Sequence, residues 1–356
     1  MPSTVFDPAR SSPIFPAEII DRILQLALLE HQGNSGRDWE RNVLRPILSF
    51  SQASKAFRQL ALRRFLQDIR FSGEGRSLRL LLESVEVSSA GQLGYRSVRT
   101  LRTNARTLSF NFRLLSSFIR LQALSIDMGS EGFLTQNCVL KAFCKSLPVP
   151  SVGISQLTTL KLTFLPRIDT ALLRLLAQYA PTLVDLHLGC SERIFYDCCW
   201  SCCIDTSDCT IHSPIPDMYT NADDLAVDFA FALKPMSHLT RLHLGIFLSP
   251  EQIFYEHMNH DEYAVASPLD DCDICLGNSR LIDYTVRIEL EASLIMAKQL
   301  KSLRRVSWSS WFGDRVPCTW NDEHEAVDDV LAGPPKAVVW VLRMAGRVRV
   351  KRGESW

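Results

Sequence analysis

One apolar pattern, Leu-x-x-Leu-x-Leu, recurs through the middle of this 356-residue chain and restricts the folds open to it. Full copies begin at Leu157, Leu183 and Leu239, and weaker copies begin at Ala105, Leu121 and Leu303. Alternating apolar residues in a short run are typical of a strand with one buried face. A unit this small buries that face by stacking on its neighbours, so the pattern predicts an array of strand–helix units.

The spacing of the copies resembles that of leucine-rich repeats. Leu160 and Leu186 lie 26 residues apart, within the period of about 20–29 residues typical of that family. Between them, residues 169–179 carry apolar side chains at helical spacing and predict the helix that covers the strands. The next two intervals are more than twice as long, which predicts inserts at residues 190–220 and 255–279 in neighbouring repeats.

Different patterns mark the two ends of the chain. Residues 19–28 and 53–65 repeat apolar side chains every three or four positions, as amphipathic helices do. Near the C-terminus, the β-prone runs Ala337–Leu342 and Arg347–Lys351 flank Ala345-Gly346, which predicts a hairpin. The expected fold is therefore α/β (α+β), with a small helical unit, an irregular solenoid of strand–helix units and a C-terminal β-hairpin. The expected boundaries are a flexible N-terminus (1–13), the helical unit (14–70), the repeats (71–312) and a C-terminal extension (313–356).

The helical unit resembles an F-box, and two short stretches carry the resemblance. The first is Phe15-Pro16-Ala17-Glu18-Ile19-Ile20, similar to the apolar-Pro-x-Glu-Ile/Leu opening of that family. The second runs from Ser51 to Ala61, with Phe57 at the family's aromatic position. The chain departs from the family at Phe15, where Leu is commoner, and in the long link over residues 28–44. An F-box followed by degenerate leucine-rich repeats resembles the F-box proteins of filamentous fungi.

The resemblance implies a substrate receptor of a cullin-based ubiquitin ligase. In that family the F-box binds a Skp-type adaptor of the cullin complex, and the repeats hold a protein substrate close to the ubiquitin-charged partner. The positions implied for adaptor contact are Phe15, Pro16, Glu18, Ile19, Ile20, Ile23, Leu24 and Phe57. The residues leave another interpretation open, in which Ile19, Ile23 and Phe57 are ordinary core. The chain would then be a repeat scaffold outside any ligase.

Seven of the eleven cysteines cluster within the two predicted inserts, at residues 198–209 and 272–275. Cys199 with Cys202, and Cys272 with Cys275, form two C-x-x-C pairs. Two such pairs supply the four thiolates of a common tetrahedral zinc site. Because both inserts follow neighbouring strands at the same edge of the predicted sheet, a structural zinc ion is one interpretation. Free thiols and redox-active cysteines are the others, so the sequence requires no cofactor, and a zinc- or redox-responsive binding protein is an alternative function.

Polar residues alternate with the leucines in three neighbouring copies of the repeat. They are Thr159 and Lys161, Asp185 and His187, and Arg241 and His243. Because successive side chains of a strand point to opposite faces, we expect these residues to project together from one exposed surface. The candidate substrate contacts on it are Lys161, Asp185, His187, Arg241 and His243. The other interpretation is that they are ordinary outward residues of the strands.

Charge and motifs exclude several classes of function. The 39 basic residues are balanced by 39 acidic ones, so the whole chain offers no basic footprint for nucleic acid. The sequence contains no nucleophile elbow, phosphate-binding loop, zincin helix or dinucleotide fingerprint, and we expect a binding protein rather than an enzyme. Without a secretory signal or an apolar run long enough to span a bilayer, we expect an intracellular protein with no membrane partner.

Overall fold

The computed structural model of the protein describes residues 18–24, 26, 45–71, 97–109, 112–129, 131–147, 157–190, 219, 221–248, 273–314 and 336–353. A helix over residues 18–24, α1, is followed by α2 (Arg45–Ala53) and α3 (Lys55–Phe65). The later helices are α4 (Ala105–Ser109), α5 (Phe112–Leu115), α6 (Phe133–Ser146), α7 (Thr170–Tyr179), α8 (Ala222–Leu233), α9 (Asp273–Gly277) and α10 (Ser279–Gln299). The predicted N-terminal segment, residues 1–13, lies outside the described residues.

The strands alternate with these helices along the chain. They are β1 (Asp68–Phe71), β2 (Thr100–Asn104), β3 (Ala123–Asp127), β4 (Thr159–Leu165), β5 (Asp185–Cys190), β6 (Arg241–Phe247), β7 (Arg305–Asp314), β8 (Lys336–Met344) and β9 (Arg347–Arg352). Among the described residues they form one nine-stranded sheet in chain order. Neighbours from β1 to β7 pair in parallel, whereas β8 and β9 add antiparallel. The expected mixed α/β class is confirmed.

Rows of apolar side chains cross the seven parallel strands and form the core. The central row is Ile69, Leu101, Leu124, Leu160, Leu186, Leu242 and Val306, and none of these is more than 3% exposed. The helices cover the rows with apolar stripes of their own; α7 buries Leu172, Leu173 and Leu176, as its spacing predicts. Full burial of each such side chain contributes about 1.5–3 kcal/mol of transfer free energy. The core is therefore continuous from one repeat to the next.

A backbone device fixes the register between consecutive strands. The carbonyl of Gln122 accepts hydrogen bonds from the N–H groups of Thr158 (2.8 Å) and Thr159 (3.0 Å) as β4 begins. The carbonyl of Thr158 does the same for the next strand, accepting from Val184 (2.8 Å) and Asp185 (3.0 Å). This repeated double acceptor aligns equivalent residues of each copy, because a slip would leave two donors without a partner.

One of the weak copies is placed differently from the prediction. The copy that begins at Ala105 is wrong as a strand, because residues 105–109 form α4. The strand of this repeat is β2, where Leu101 occupies the central buried row and Thr103 the next buried position. A threonine in that position hides the apolar alternation. Asn104 then begins α4 by accepting the N–H of Thr107 on its side-chain oxygen at 2.7 Å, a common start signal for a helix.

A further strand lies where the sequence predicts the end of the helical unit. The predicted boundary at residue 70 falls inside β1, which pairs with β2 and belongs to the sheet. Leu66 and Ile69 lie in the main core, and Phe65 packs against both this core and the smaller one of the N-terminal helices. The helical unit thus ends with α3, and the sheet begins directly after it.

The predicted C-terminal hairpin is confirmed. Strands β8 and β9 pair antiparallel around Ala345 (φ 47°) and Gly346 (φ 77°). Two consecutive residues with positive φ are the signature of the two-residue turn that matches the twist of paired strands. The guanidinium of Arg343 donates to the carbonyls of Ala297 (2.7 Å), Leu300 (2.8 Å) and Leu303. The hairpin is therefore fastened to the C-terminal end of α10.

Candidate functional site

The polar residues that alternate with the core rows share one face of the sheet. Lys161, His187, His243 and Ser307 are register partners on β4 to β7, and Thr159, Asp185, Arg241 and Arg305 are partners one pleat away. Lys336, at the start of β8, pairs with Ser309. We call these ten residues, Ser309 included, the polar face. The structure thus brings together the substrate-contact candidates Lys161, Asp185, His187, Arg241 and His243.

Two histidine rings form the centre of the polar face. His187 and His243 stack with ring centroids 4.1 Å apart and planes inclined by 25°. Nδ1 of His243 is hydrogen-bonded to the Ser307 hydroxyl at 2.9 Å. The expectation that His243 is exposed is wrong, since His243 is 6% and His187 4% exposed. Each ring covers the other, because strands about 4.8 Å apart place register partners at stacking distance.

Burial and neighbouring cations hold both rings in the neutral state. Burial is the main cause that lowers the pKa of His187 well below its usual value, followed by repulsion from His243, Lys336 and Lys161. Burial likewise lowers the pKa of His243 well below its usual value, with Lys336, Lys161 and Arg305 adding to the effect. Neutral imidazoles each keep one donor and one acceptor nitrogen. At neutral pH the centre of the polar face is therefore an uncharged polar platform with cations near it.

Beside the histidines lies an ion pair between neighbouring strands. Oδ2 of Asp185 is 2.5 Å from Nε of Arg241. The carboxylate side is nearly buried, at 4% exposed, whereas the arginine side chain is 48% exposed. Burial raises the pKa of Asp185 to about 6, although Arg241 and Arg305 act in the opposite direction. The guanidinium therefore remains available to solvent on one side while it neutralises the carboxylate on the other.

The N-terminal helices divide the predicted adaptor contacts into buried and exposed residues. Ile20 and Leu24 are buried, at 4% and 2% exposed, in a small core with Ala61. The prediction of adaptor contact is therefore wrong for Ile20 and Leu24, because their side chains pack inside the protein and offer no surface to a partner. Ile19 (47%) and Ile23 (52%) are exposed, and so is Glu18.

The remaining adaptor candidates differ in how far they are described. Phe57 is half-buried and stacks on Phe50 with centroids 4.6 Å apart. Phe15 and Pro16 lie outside the described residues. Leu26, which is not among the predicted adaptor contacts, is 51% exposed and extends the stripe of Ile19 and Ile23 at helical spacing. The i, i+4, i+7 pattern of these three residues is the signal that reveals a second apolar face of α1.

Most of the predicted zinc ligands lie outside the described residues, namely Cys199, Cys202 and Cys272. Cys275 is described and is buried on α9, at 1% exposed. Within the described ranges, no three His, Cys, Asp or Glu side chains form a group that could hold a metal ion. The strands that precede the two predicted inserts, β5 and β6, are adjacent and parallel, as expected. The zinc site stays a prediction.

Helix α10 carries a buried polar stripe that was not predicted from the sequence. Thr285, Glu289 and Ser293 are completely buried and follow one another at intervals of four residues. Ser293 accepts the indole N–H of Trp308 at 2.9 Å, and Glu289 forms an ion pair with Arg352. The spacing alone could have placed these residues on one face. Only the packing of β9 on α10 shows that this face is inside.

Comparisons with known proteins place this chain in no family. No protein-family model matches the sequence, and no curated protein matches it. Of the helices that the structure describes, none combines the length and the apolar character needed to cross a membrane.

Proposed function

We propose that this protein is the substrate receptor of a cullin-based ubiquitin ligase, acting inside the cell. Its N-terminal helices would bind a Skp-type adaptor, and the polar face of the sheet would hold a protein substrate. The protein itself catalyses nothing in this proposal. It raises the effective concentration of the substrate beside a ubiquitin-charged partner, which makes the transfer effectively intramolecular.

The observation that carries the proposal is the two-sided apolar character of α1. One side, with Ile20 and Leu24, is buried in the core that α1 forms with α3. The other side presents Ile19, Ile23 and Leu26, each about half exposed. A contiguous apolar stripe left on the surface of a small helical unit is typical of a protein-binding site. The resemblance of the same stretch to an F-box supports a Skp-type adaptor as the partner.

The packing of α3 supports this orientation of α1. The Ser54 hydroxyl accepts the N–H of Phe57 at 3.1 Å and begins α3. Asp21 of α1 lies 3.7 Å from the guanidinium of Arg64 on α3. Surface ion pairs of this kind contribute at most about 1 kcal/mol, so the apolar core rather than the charge pair holds the two helices together.

Adaptor capture by a surface variant tests the proposal. Replacing Ile19 and Ile23 together by serine removes the centre of the exposed stripe and leaves Ile20 and Leu24 in the core. We expect the double variant to lose co-purification with the adaptor and cullin, while its circular dichroism and thermal midpoint stay those of the wild type.

A matched control is available on another helix. Val227 and Phe231 of α8 are also exposed and also lie four residues apart, at 47% and 66% exposed. Replacing both by serine should leave adaptor capture unchanged. The ligase proposal is wrong if the variant at Ile19 and Ile23 still captures the adaptor, or if the adaptor never co-purifies with the wild type. The protein would then be a repeat scaffold outside any ligase.

A further inference from the structure

Several cations surround the uncharged centre of the polar face, although the chain as a whole is neutral. Lys161, Arg305 and Lys336 lie on β4, β7 and β8 and are partly exposed. Burial is the main cause that lowers the pKa of His243, and repulsion from these three cations lowers it further. The fourth cation, Arg241, lies between Asp185 and Arg305 and repels the latter. In the backbone register Lys336 is opposite both Ser309 and Asp314, because the register of β7 shifts between those two residues.

Because the two histidines are neutral, a bound anion can lie over them and contact the surrounding cations. A protonated histidine would add positive charge to the site, but the neighbouring cations repel it and therefore disfavour protonation. The stacked, buried pair His187 and His243 instead keeps the floor of the site uncharged, with His243 hydrogen-bonded to Ser307. An anion over this floor meets cations from several directions, in a site whose floor already excludes water.

We propose that the polar face binds an acidic peptide segment of a partner protein, with Lys161, Arg305 and Lys336 contacting its carboxylates. This inference rests on the substrate-receptor role proposed above and specifies the chemistry of the substrate. Phosphorylated side chains also offer negative charge and oxygen acceptors. The site therefore selects for anionic side chains, and the two sources of charge are distinguished by the experiment below.

The dimensions of the site favour a short peptide over a nucleic acid. The three cations lie on strands from β4 to β8, which are four strand spacings of about 4.8 Å, or about 19 Å in all. An extended peptide covers that distance with about six residues, since each advances it by about 3.3 Å. Sequence-independent nucleic-acid binding relies instead on longer tracks of cations, and on aromatic side chains that stack on bases.

Binding of defined peptides to the full chain tests the inference. The probes are a fluorescein-labelled peptide with six consecutive glutamates, the same peptide with glutamines, one with two phosphoserines, and a single-stranded oligothymidine. We expect the glutamate peptide to bind about ten-fold tighter than the glutamine peptide and to weaken as salt is added. The phosphoserine peptide shows whether phosphate serves better than carboxylate. Equal binding of the glutamine peptide, tighter binding of the oligothymidine, or no binding of either anionic peptide would overturn the proposal.

Two double variants locate the binding. Lys161→Gln with Lys336→Gln should weaken the glutamate peptide by about ten-fold. The control pair, Arg174→Gln with Lys234→Gln, removes the same charge from exposed residues on the helical side and should change nothing. Equal loss in both pairs would mean that net charge alone is responsible and would also overturn the proposal. Adaptor capture is measured on the same preparations. If the adaptor does not bind while the acidic peptide does, the ligase role fails and the peptide site remains.

Discussion

Glu289, in the middle of α10, is completely buried and lies 3.2 Å from Nε of Arg352 near the end of β9. The arginine side chain also donates to the carbonyl of Phe312 and lies 3.4 Å from the Ser310 hydroxyl. A buried carboxylate with one cationic partner loses much of its hydration, and a single pair rarely compensates for that loss fully. The contact therefore orients the hairpin on α10 but makes its docking depend on the protonation of Glu289.

The first prediction concerns this pH dependence. Burial raises the pKa of Glu289 from 4.5 to about 7, against the opposing effect of Arg352. A raised carboxyl pKa adds stability at pH values below the unfolded-state pKa, and this contribution is lost as the pH rises through about 7. Glu289→Gln should therefore be close to wild type at pH 5 and more stable by about 2–3 kcal/mol at pH 8. Denaturant unfolding at both pH values measures the difference.

The control for this prediction is Glu291→Gln, an exposed position on the same helix. It should give the same unfolding free energy as the wild type at both pH values. A Glu289→Gln protein that is less stable than wild type at pH 8 would mean that the pair with Arg352 outweighs the cost of burying the charge.

The histidine pair predicts the opposite dependence on pH. Because burial lowers the pKa of both His187 and His243, their contribution is complete above the unfolded-state pKa of about 6.5 and is lost as the pH falls. Replacing both rings by glutamine should reduce the loss of stability between pH 7.5 and pH 5. Unfolding midpoints of the double variant measure this reduction. His238→Gln, at an exposed position, should leave the wild-type slope unchanged, and an unchanged slope in the double variant would contradict the prediction.

Arg343 gives a prediction about the end of α10. The last carbonyls of a helix have no partner within the helix. The guanidinium of Arg343 donates hydrogen bonds to the carbonyls of Ala297 and Leu300. Arg343→Gln should cost about 1–3 kcal/mol, since charge-assisted hydrogen bonds of this strength are lost. Amide hydrogen exchange should increase at residues 298–304. Arg347→Gln, at an exposed position at the start of β9, serves as the control, and equal exchange in both variants would argue against the capping role.

The leucine pattern predicts the sheet well because burial on one face of a strand requires alternation. The rows through Leu160, Leu186 and Leu242 could be read directly for that reason. Two strands were less visible: Thr103 replaces an apolar residue in β2, and β1 lies beside a helical pattern that continues to Phe65. In each case the backbone register of neighbouring repeats decides the structure, and register depends on residues far away in the chain.

The sequence predicts the polar face on β4, β5 and β6, but it predicts neither the members on β7 and β8 nor the burial of the histidines. Alternation with leucine places His187 and His243 side by side, and the register agrees. Alternation says nothing about how close two adjacent strands approach or what covers their outer side chains. The stripe of Thr285, Glu289 and Ser293 shows the same limit, since four-residue spacing defines a helix face without saying which partner will bury it.

The last prediction concerns the close approach of two strands next to the histidines. A Cβ atom on Gly245 of β6 would lie 2.6 Å from the backbone nitrogen of Cys190 and 2.8 Å from Cα of Gly189, both in β5. Those neighbours are backbone atoms and cannot rotate away, so Gly245→Ala forces β5 and β6 apart. We expect a loss of about 1–3 kcal/mol in unfolding free energy, typical of an overpacked core. Gly132→Ala, where the added Cβ meets no atom within 4 Å, should stay close to wild type.

Because the separation also breaks the register that stacks His187 on His243, Gly245→Ala should weaken binding of the acidic peptide as well. Full stability in this variant would show that the strands can separate at no cost.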